Sequence, residues 1–496
     1  MMRAITWVLL WLPILSFAAD PPAPVAAPDP PAAAAPPPAA AIPGANAPAR
    51  LMPGGSFGTV SVYIPAGTPQ SVAIFLSGDG GWNLGVVNMA QALRAKGAVV
   101  IGVDVTHYLA ALRGKAACRL IAGDFENLSH QIQKKIGLKE YHVPVLLGYS
   151  SGATVVYAVL VQSPPGTFAG AMSLGFCPDQ DFGGAALCPG AGLRYSHGKK
   201  NDLVFEPATT LKQPWIALQG QQDQVCAPQA VDDFGARTTG SQVIRLPKVG
   251  HGFGVERNWL PQFMDAYQGL VERNNAPKAL RPQQINDLPV MEVHAEGTSD
   301  EFALLLTGDG GWAGLDQELA TRLAASGVPT VGLNSLKYFW TQRTADEAAK
   351  DVARVIRHYL SSWGKKRVLL VGYSFGADVL PFVVNRLPAD LQSQIATVSL
   401  LGIDSTASFE ISVADWIGND TSGLPTRPEL ANLAAKPILC IYGAGEEDSI
   451  CPSLHAPRVT SEQVGTGHHF GGEYAQLADK ILTFATVYKS AGPPGQ

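Results

Sequence analysis

Two serines of this chain stand in the pattern Gly-x-Ser-x-Gly. One is Ser150, within Gly148-Tyr149-Ser150-Ser151-Gly152. The other is Ser374, within Gly372-Tyr373-Ser374-Phe375-Gly376. The pattern alone says little, because a chain with 52 glycines produces it by accident. Its setting says more. An apolar run precedes each copy and a helix-forming segment follows, which is the strained strand-to-helix turn that exposes a nucleophilic serine. A hydroxyl attacks poorly at neutral pH unless a base takes its proton. The fitting bases are His251 and His468, each in a Gly-His-x-Phe-Gly loop near the end of its half. His469 is adjacent, but alignment of the two halves sets it opposite Gly252. The base in turn needs an acid to hold its tautomer and stabilise the imidazolium. Asp223 and Asp448 each follow an apolar run and a glycine-containing turn, with Glu446 and Glu447 as nearby substitutes for Asp448. The chain order is then Ser, Asp, His in both halves, the order of an α/β hydrolase.

A second feature recurs upstream. "FLSGDGGW" occupies residues 75–82 and "LLTGDGGW" residues 305–312. Consecutive glycines after the first core strand let the backbone turn an N–H toward a developing oxyanion. Gly308, Gly310 and Gly311, together with the N–H of Phe375, are the expected oxyanion donors of the second half. Asp79 and Asp309 either stabilise the turn with their own side-chain hydrogen bonds or meet a substrate ammonium.

These residues must be positioned by a fold, and the repeat shows which. Five blocks recur in the same order: the GDGGW turns, residues 99–109 with 329–339, 145–153 with 369–377, 220–228 with 445–453, and 249–256 with 466–473. A duplication is the economical explanation. Within each half, short continuous apolar runs alternate with amphipathic helical patterns. That predicts two tandem α/β-hydrolase-like domains, each a mostly parallel sheet covered by helices on both faces, with chemistry at the carboxyl ends of the strands. The expected boundaries are 51–272 and 288–490, joined by a polar linker at 273–287.

The halves also differ. The second has Asp378 where the first has Thr154, and Lys337 where the first has His107. Lys337, Tyr338 and Trp340 beside the expected site suit an anionic headgroup carrying apolar chains, and Asp378 suits a cationic group.

Arg3 is followed by an apolar run over residues 4–17 and then by small residues. This is the pattern of a secretory signal over 1–19, cleaved after Ala18 or Ala19. Residues 20–50, almost wholly Ala and Pro, form an extended spacer. Export places the six cysteines where disulfides persist; Cys177 with Cys188 and Cys440 with Cys451 are the expected pairs. The formal charge of −5 argues against nucleic-acid binding. No metal-ligand spacing is evident, and no cofactor is expected.

With "LLTGDGGW", "SLKYFW", "VGYSFGADVLPF" and "LLGIDSTASFEISVADWIG" in its second half, the chain resembles the AcvB/VirJ family of bacterial virulence proteins. The resemblance runs over most of the chain beyond residue 50 and is strongest over about residues 300–475. It implies a periplasmic enzyme that hydrolyses the aminoacyl ester of lysyl- or alanyl-phosphatidylglycerol. Ser374, Asp448 and His468 would be the working triad; the first half keeps Ser150, Asp223 and His251 as a second candidate site. The implied partners are an aminoacylated lipid headgroup at the membrane surface and type IV secretion components. A general carboxylesterase and a non-catalytic secretion factor that retains the fold are the alternatives.

Overall fold

The computed structural model describes residues 49–114, 118–199, 202–275, 285–297, 299–412, 423–433 and 436–490. The expected signal, and all of the expected spacer except its last two residues, lie outside them. So does most of the expected linker; the helix Leu260–Asn275 runs into its first residues. Arg50, the last residue of the expected spacer, already belongs to the first strand, Arg50–Pro53.

Each half carries one large sheet. In the first, the spatial order is Arg50–Pro53, Thr59–Tyr63, Ala98–Val103, Ser71–Leu76, Val145–Tyr149, Gly170–Leu174, Trp215–Gly220, Ser241–Leu246. Thr59–Tyr63 pairs antiparallel with both of its neighbours, Arg50–Pro53 and Ala98–Val103, and the remaining pairs are parallel. The second half repeats this order with one strand fewer: Val290–Val293, Thr330–Leu333, Glu301–Leu306, Arg367–Tyr373, Ile395–Leu401, Ile438–Ala444, Val459–Thr466. Here only the edge strand Val290–Val293 is antiparallel. This is the α/β-hydrolase topology, once per half.

The continuous apolar runs follow from burial on both faces. Along Glu301–Leu306 every residue is buried. Phe302, Leu304 and Leu306 join one side of the core, while Ala303 and Leu305 join the other. The period-2 alternation of a strand thus divides one apolar run between two helix layers. Helix Ala345–Ser362 covers one layer. Thr344 and Glu347 close its first turn as a capping box, and Ala349, Val352, Ile356 and Tyr359 form its buried stripe.

The tryptophan of each GDGGW turn explains another repeated residue. Trp82 lies on Gly102 and Trp312 on Gly332, in the neighbouring strand; a Cβ there would meet the rings at 2.2 and 1.8 Å. The glycine makes room for the ring, and the ring pins the turn to the sheet.

The halves pack together. Trp340 donates from Nε1 to the Leu138 carbonyl at 2.8 Å and lies 5.2 Å from the Tyr141 ring. Lys134 sits over the same indole at 4.7 Å and pairs with Glu410 at 3.1 Å. Gln317 donates to the Pro165 carbonyl at 2.8 Å. Among the described residues no helix is long and apolar enough to cross a membrane.

The disulfides correct one expectation and match the other. Cys177 does not pair with Cys188. Cys188 pairs with Cys118, because its loop lies along Arg119, with Cys188 N–H on the Arg119 carbonyl at 3.0 Å. Cys177 pairs instead with Cys226. Cys440 is bonded to Cys451.

Candidate active site

Both serines sit at the turn between a strand and the helix that follows it, Ser151–Gln162 in one half and Phe375–Asn385 in the other. Ser150 has φ 55° and ψ −120°, and Ser374 has φ 51° and ψ −121°. That backbone is strained for a residue with a Cβ, by about 1–3 kcal/mol, and such strain collects at functional turns. The flanking glycines make it possible. A Cβ at Gly152 would lie 2.4 Å from the Ser77 carbonyl oxygen, and one at Gly376 would lie 2.1 Å from that of Leu306.

In the first half Ser150 Oγ lies 2.9 Å from His251 Nε2, and His251 Nδ1 lies 2.8 Å from Asp223 Oδ2. The Asp223 side chain is fully buried and saturated with donors. Val225 and Cys226 N–H bond its Oδ1 at 2.8 and 2.9 Å, and Gln219 Nε2 bonds Oδ2 at 2.9 Å. The cystine Cys177–Cys226 braces this loop. Asp223, Cys226 and His251 lie close enough together to suggest a metal, but the sulfur is already in the disulfide and offers no thiolate.

In the second half Ser374 Oγ lies 2.7 Å from His468 Nε2. The acid is not Asp448. His468 Nδ1 meets Glu446 Oε1 at 2.5 Å, and Glu446 Oε2 accepts the Gly443 N–H at 2.9 Å. Asp448 is exposed two residues further along. The reason lies in the strand ends. Asp223 N–H bonds the Gly220 carbonyl and Glu446 N–H bonds the Gly443 carbonyl, both at 3.2 Å. Gly443 is therefore the counterpart of Gly220, not Gly445, and the third residue after it points at the histidine. His469 turns elsewhere, with Nδ1 2.8 Å from the Tyr373 hydroxyl.

The electrostatics fit a general base. Burial disfavours the charged form of His468, but the hydrogen bond and charge of Glu446 outweigh it and hold the pKa above the ordinary imidazole value. Burial likewise works to raise Glu446, yet His468 and the Gly443 N–H hold it below the usual carboxylate range. His469 is pushed down by burial and then by His468. Two positive-φ glycines make room for the bases: a Cβ at Gly175 would lie 3.2 Å from the His251 ring, and one at Gly402 would lie 3.0 Å from the His468 ring.

The GDGG turn abuts the nucleophile: a Cβ on Gly308 would lie 3.6 Å from Ser374 Cβ. The expected oxyanion set needs correction, however. The Gly311 N–H returns to the Gly308 carbonyl at 3.1 Å. The Gly308 N–H lies beside the buried Asp316 carboxyl and favours its charged form. The Gly310 apex and the Phe375 N–H remain, the latter in the first helical turn where amides have no intrahelical partner.

The expected headgroup residues divide. Tyr338 and Trp340 are 2% exposed and are packing residues. Tyr338 bonds Asp351 at 2.7 Å, and Trp340 anchors the two halves. Lys337 is exposed, and its charge acts on His142 of the first half. Asp378 stands in the first turn after the elbow and accepts the Asp404 N–H at 2.8 Å; burial pushes its pKa well up. Asp309 stays near the site, its charge acting on both His468 and Asp378.

Two carboxyls escaped the sequence reading. Buried Asp316 underlies the turn where the first half has Val86, a difference visible at the 230-residue offset that relates the GDGGW turns. Glu126, from the first half, reaches the second half's turn: its Oε1 would lie 3.8 Å from a Cβ on Gly310. Burial, and then the Asp309 charge, push its pKa up to about 8. No local pattern marks Glu126, because it acts across the contact between the halves.

No curated protein matches the chain by sequence. The solved structures that follow each cover less than half of the chain. An esterase domain from Rhodothermus marinus is 15% identical, covers 43% of this chain and 92% of its own, and has a TM-score of 0.30. For an alpha-beta serine hydrolase homologue from Coxiella burnetii the values are 16%, 45%, 95% and 0.30. For a thermophilic esterase from Thermogutta terrifontis they are 17%, 48%, 96% and 0.33. The family model described as "Bacterial virulence protein (VirJ)" matches residues 70–170 and 300–487, more than half of the chain, with both serine elbows inside the match. The chain, with its two α/β-hydrolase halves, belongs to the VirJ family of bacterial virulence proteins.

Proposed function

We propose that the second half is a serine hydrolase that removes the amino acid from aminoacylated phosphatidylglycerol, working in the periplasm after export. The observation that carries the hydrolase reading is the connected line Glu446–His468–Ser374, held beside the GDGG turn. Ser374 Oγ attacks the ester carbonyl as His468 Nε2 takes its proton, and Glu446 stabilises the imidazolium. The Phe375 N–H and the apex of the turn receive the oxyanion. His468 then protonates the departing glycerol oxygen. Water, deprotonated by the same nitrogen, releases the amino acid and frees Ser374.

The substrate class rests on family membership and on charge. An aminoacyl ester carries an ammonium close to its carbonyl. Asp309, Glu126, Asp378 and Asp404 crowd around the second site, where burial, and then the neighbouring carboxylate charges, raise the pKa of Glu126 and of Asp378. A cation among them relieves that repulsion. Vesicles containing lysyl- or alanyl-phosphatidylglycerol, incubated with the mature protein, test the proposal by release of free amino acid. Cleavage of simple soluble esters with no release from either lipid would replace it with a general carboxylesterase. No hydrolysis of any ester would leave a non-catalytic factor.

A further inference from the structure

The geometry points to a second, separate hydrolytic site at Ser150 in the first half, one that takes carboxylic esters of small neutral acyl groups. This inference stands on the first half alone and does not depend on the substrate proposed for the second.

The machinery is complete there. Ser150, His251 and Asp223 are linked at 2.9 and 2.8 Å, and the acid is more fully fixed than Glu446, with two backbone and one side-chain donors besides the histidine. A degenerate copy under no constraint to react has no reason to keep a strained serine, a saturated buried carboxylate and the glycines that admit them. A cavity of about 470 Å³ opens beside Ser150 and the Gly78–Gly81 turn, a size typical of small-molecule sites.

The wall of that cavity sets the substrate class. Val86, Met89, Phe253 and Trp259 line it. Val86 occupies the place of Asp316, and Thr154 that of Asp378. The Thr154 hydroxyl is spent on the Cys177 carbonyl at 2.6 Å. Of the carboxylates at the cavity, Asp79 is bonded to the Ser151 hydroxyl at 2.5 Å, and Glu256 to the Asn88 amide at 3.2 Å. An ammonium placed against Val86 would be desolvated while the cavity's carboxylates, Asp79 and Glu256, are engaged by Ser151 and Asn88, whereas a short alkyl chain would be well accommodated. The second half has the reverse arrangement, with buried Asp316, half-buried Asp378 and Glu126 brought in from outside.

The chemistry balances without a co-reactant other than water. Ser150 Oγ bonds the carbonyl carbon, the alcohol leaves with the proton carried by His251, and water cleaves the acyl-serine to the acid.

The test uses the full mature chain as Ser374→Ala, Ser150→Ala and the double variant, with p-nitrophenyl butyrate, the cationic p-nitrophenyl 4-aminobutyrate and a fluorophosphonate label. The expectation is that Ser374→Ala hydrolyses the butyrate ester and is labelled on Ser150. Adding Ser150→Ala should lower that rate by at least about 10³-fold, the scale of losing a catalytic serine. The neutral ester should be preferred at Ser150 by at least about tenfold, about 1.4 kcal/mol. A Ser374→Ala protein no faster than the double variant, or with Ser150 unlabelled, overturns the site. Equal or better use of the cationic ester overturns its substrate class. Amino-acid release from aminoacyl-phosphatidylglycerol by Ser150→Ala is measured in parallel, so failure of either site is seen independently of the other.

Discussion

Replacing Glu446 with Gln keeps the size of the side chain and removes its charge from His468 Nδ1, which lies 2.5 Å away. The size of the loss follows from where the charges sit. The Glu446 side chain is 6% exposed and that of His468 43%. Opposite charges about 4 Å apart attract by about 4 kcal/mol at an effective dielectric near 20 and by about 1 kcal/mol in water. A pair buried on one side only falls between, at about 2–4 kcal/mol. That is about 30- to 1000-fold in kcat/KM if the imidazolium forms in the transition state. Asp448→Asn, two residues away and exposed, should change kcat/KM by less than about twofold. Both are measured by ester hydrolysis in a Ser150→Ala background, so that the first half cannot mask the change. The reasoning is refuted if Asp448→Asn costs as much as Glu446→Gln, or if Glu446→Gln stays within about twofold of its parent.

Further outcomes follow from the same geometry. His468 must be neutral to accept the serine proton and its pKa is raised, so kcat/KM should fall with decreasing pH from above the ordinary imidazole value of 6.5. In Glu446→Gln the raising partner is gone and burial remains, so this acid limb should move to lower pH, as a pH–rate profile would show. At about pH 9, where Glu126 with its pKa of about 8 is charged, Glu126→Gln should raise KM for a lysyl ester by about fivefold, about 1 kcal/mol of lost charge attraction, and leave a neutral ester unchanged. Trp340→Ala removes a buried indole and leaves the Leu138 carbonyl without its donor; urea denaturation should show a loss of about 3–5 kcal/mol. Gly376→Ala drives a methyl to 2.1 Å from the Leu306 carbonyl oxygen, whereas a Cβ at Gly254 meets nothing within 4 Å. Thermal melting should fall sharply for the first and hardly at all for Gly254→Ala.

The sheets, the elbows and the serine–histidine pairs were legible because each depends on local pattern. An apolar run such as Glu301–Leu306 announces burial on both faces, and the glycines around Ser374 answer a steric need within a few residues. The acid was harder. Its place depends on which glycine ends the strand, and aligning Gly445 rather than Gly443 with Gly220 moved the choice from Glu446 to Asp448. The pairing of Cys188 with Cys118 and the role of Trp340 depend on segments far apart in the chain. The aromatic run at 338–340 looked like a binding wall because apolar residues near a site and apolar residues between domains have the same composition. Glu126 belongs to the same class, since only the contact between the halves brings it to Gly310.

The most direct test of the central claim is to catch the covalent intermediate. Mature protein, as Ser150→Ala, is mixed with lysyl-phosphatidylglycerol vesicles, quenched in acid within the first turnover, digested and analysed by mass spectrometry. The account predicts a lysyl adduct on the peptide containing Ser374, accumulating before free lysine and absent in Ser374→Ala. Release of lysine with no adduct on Ser374, or release that survives Ser374→Ala, would contradict it.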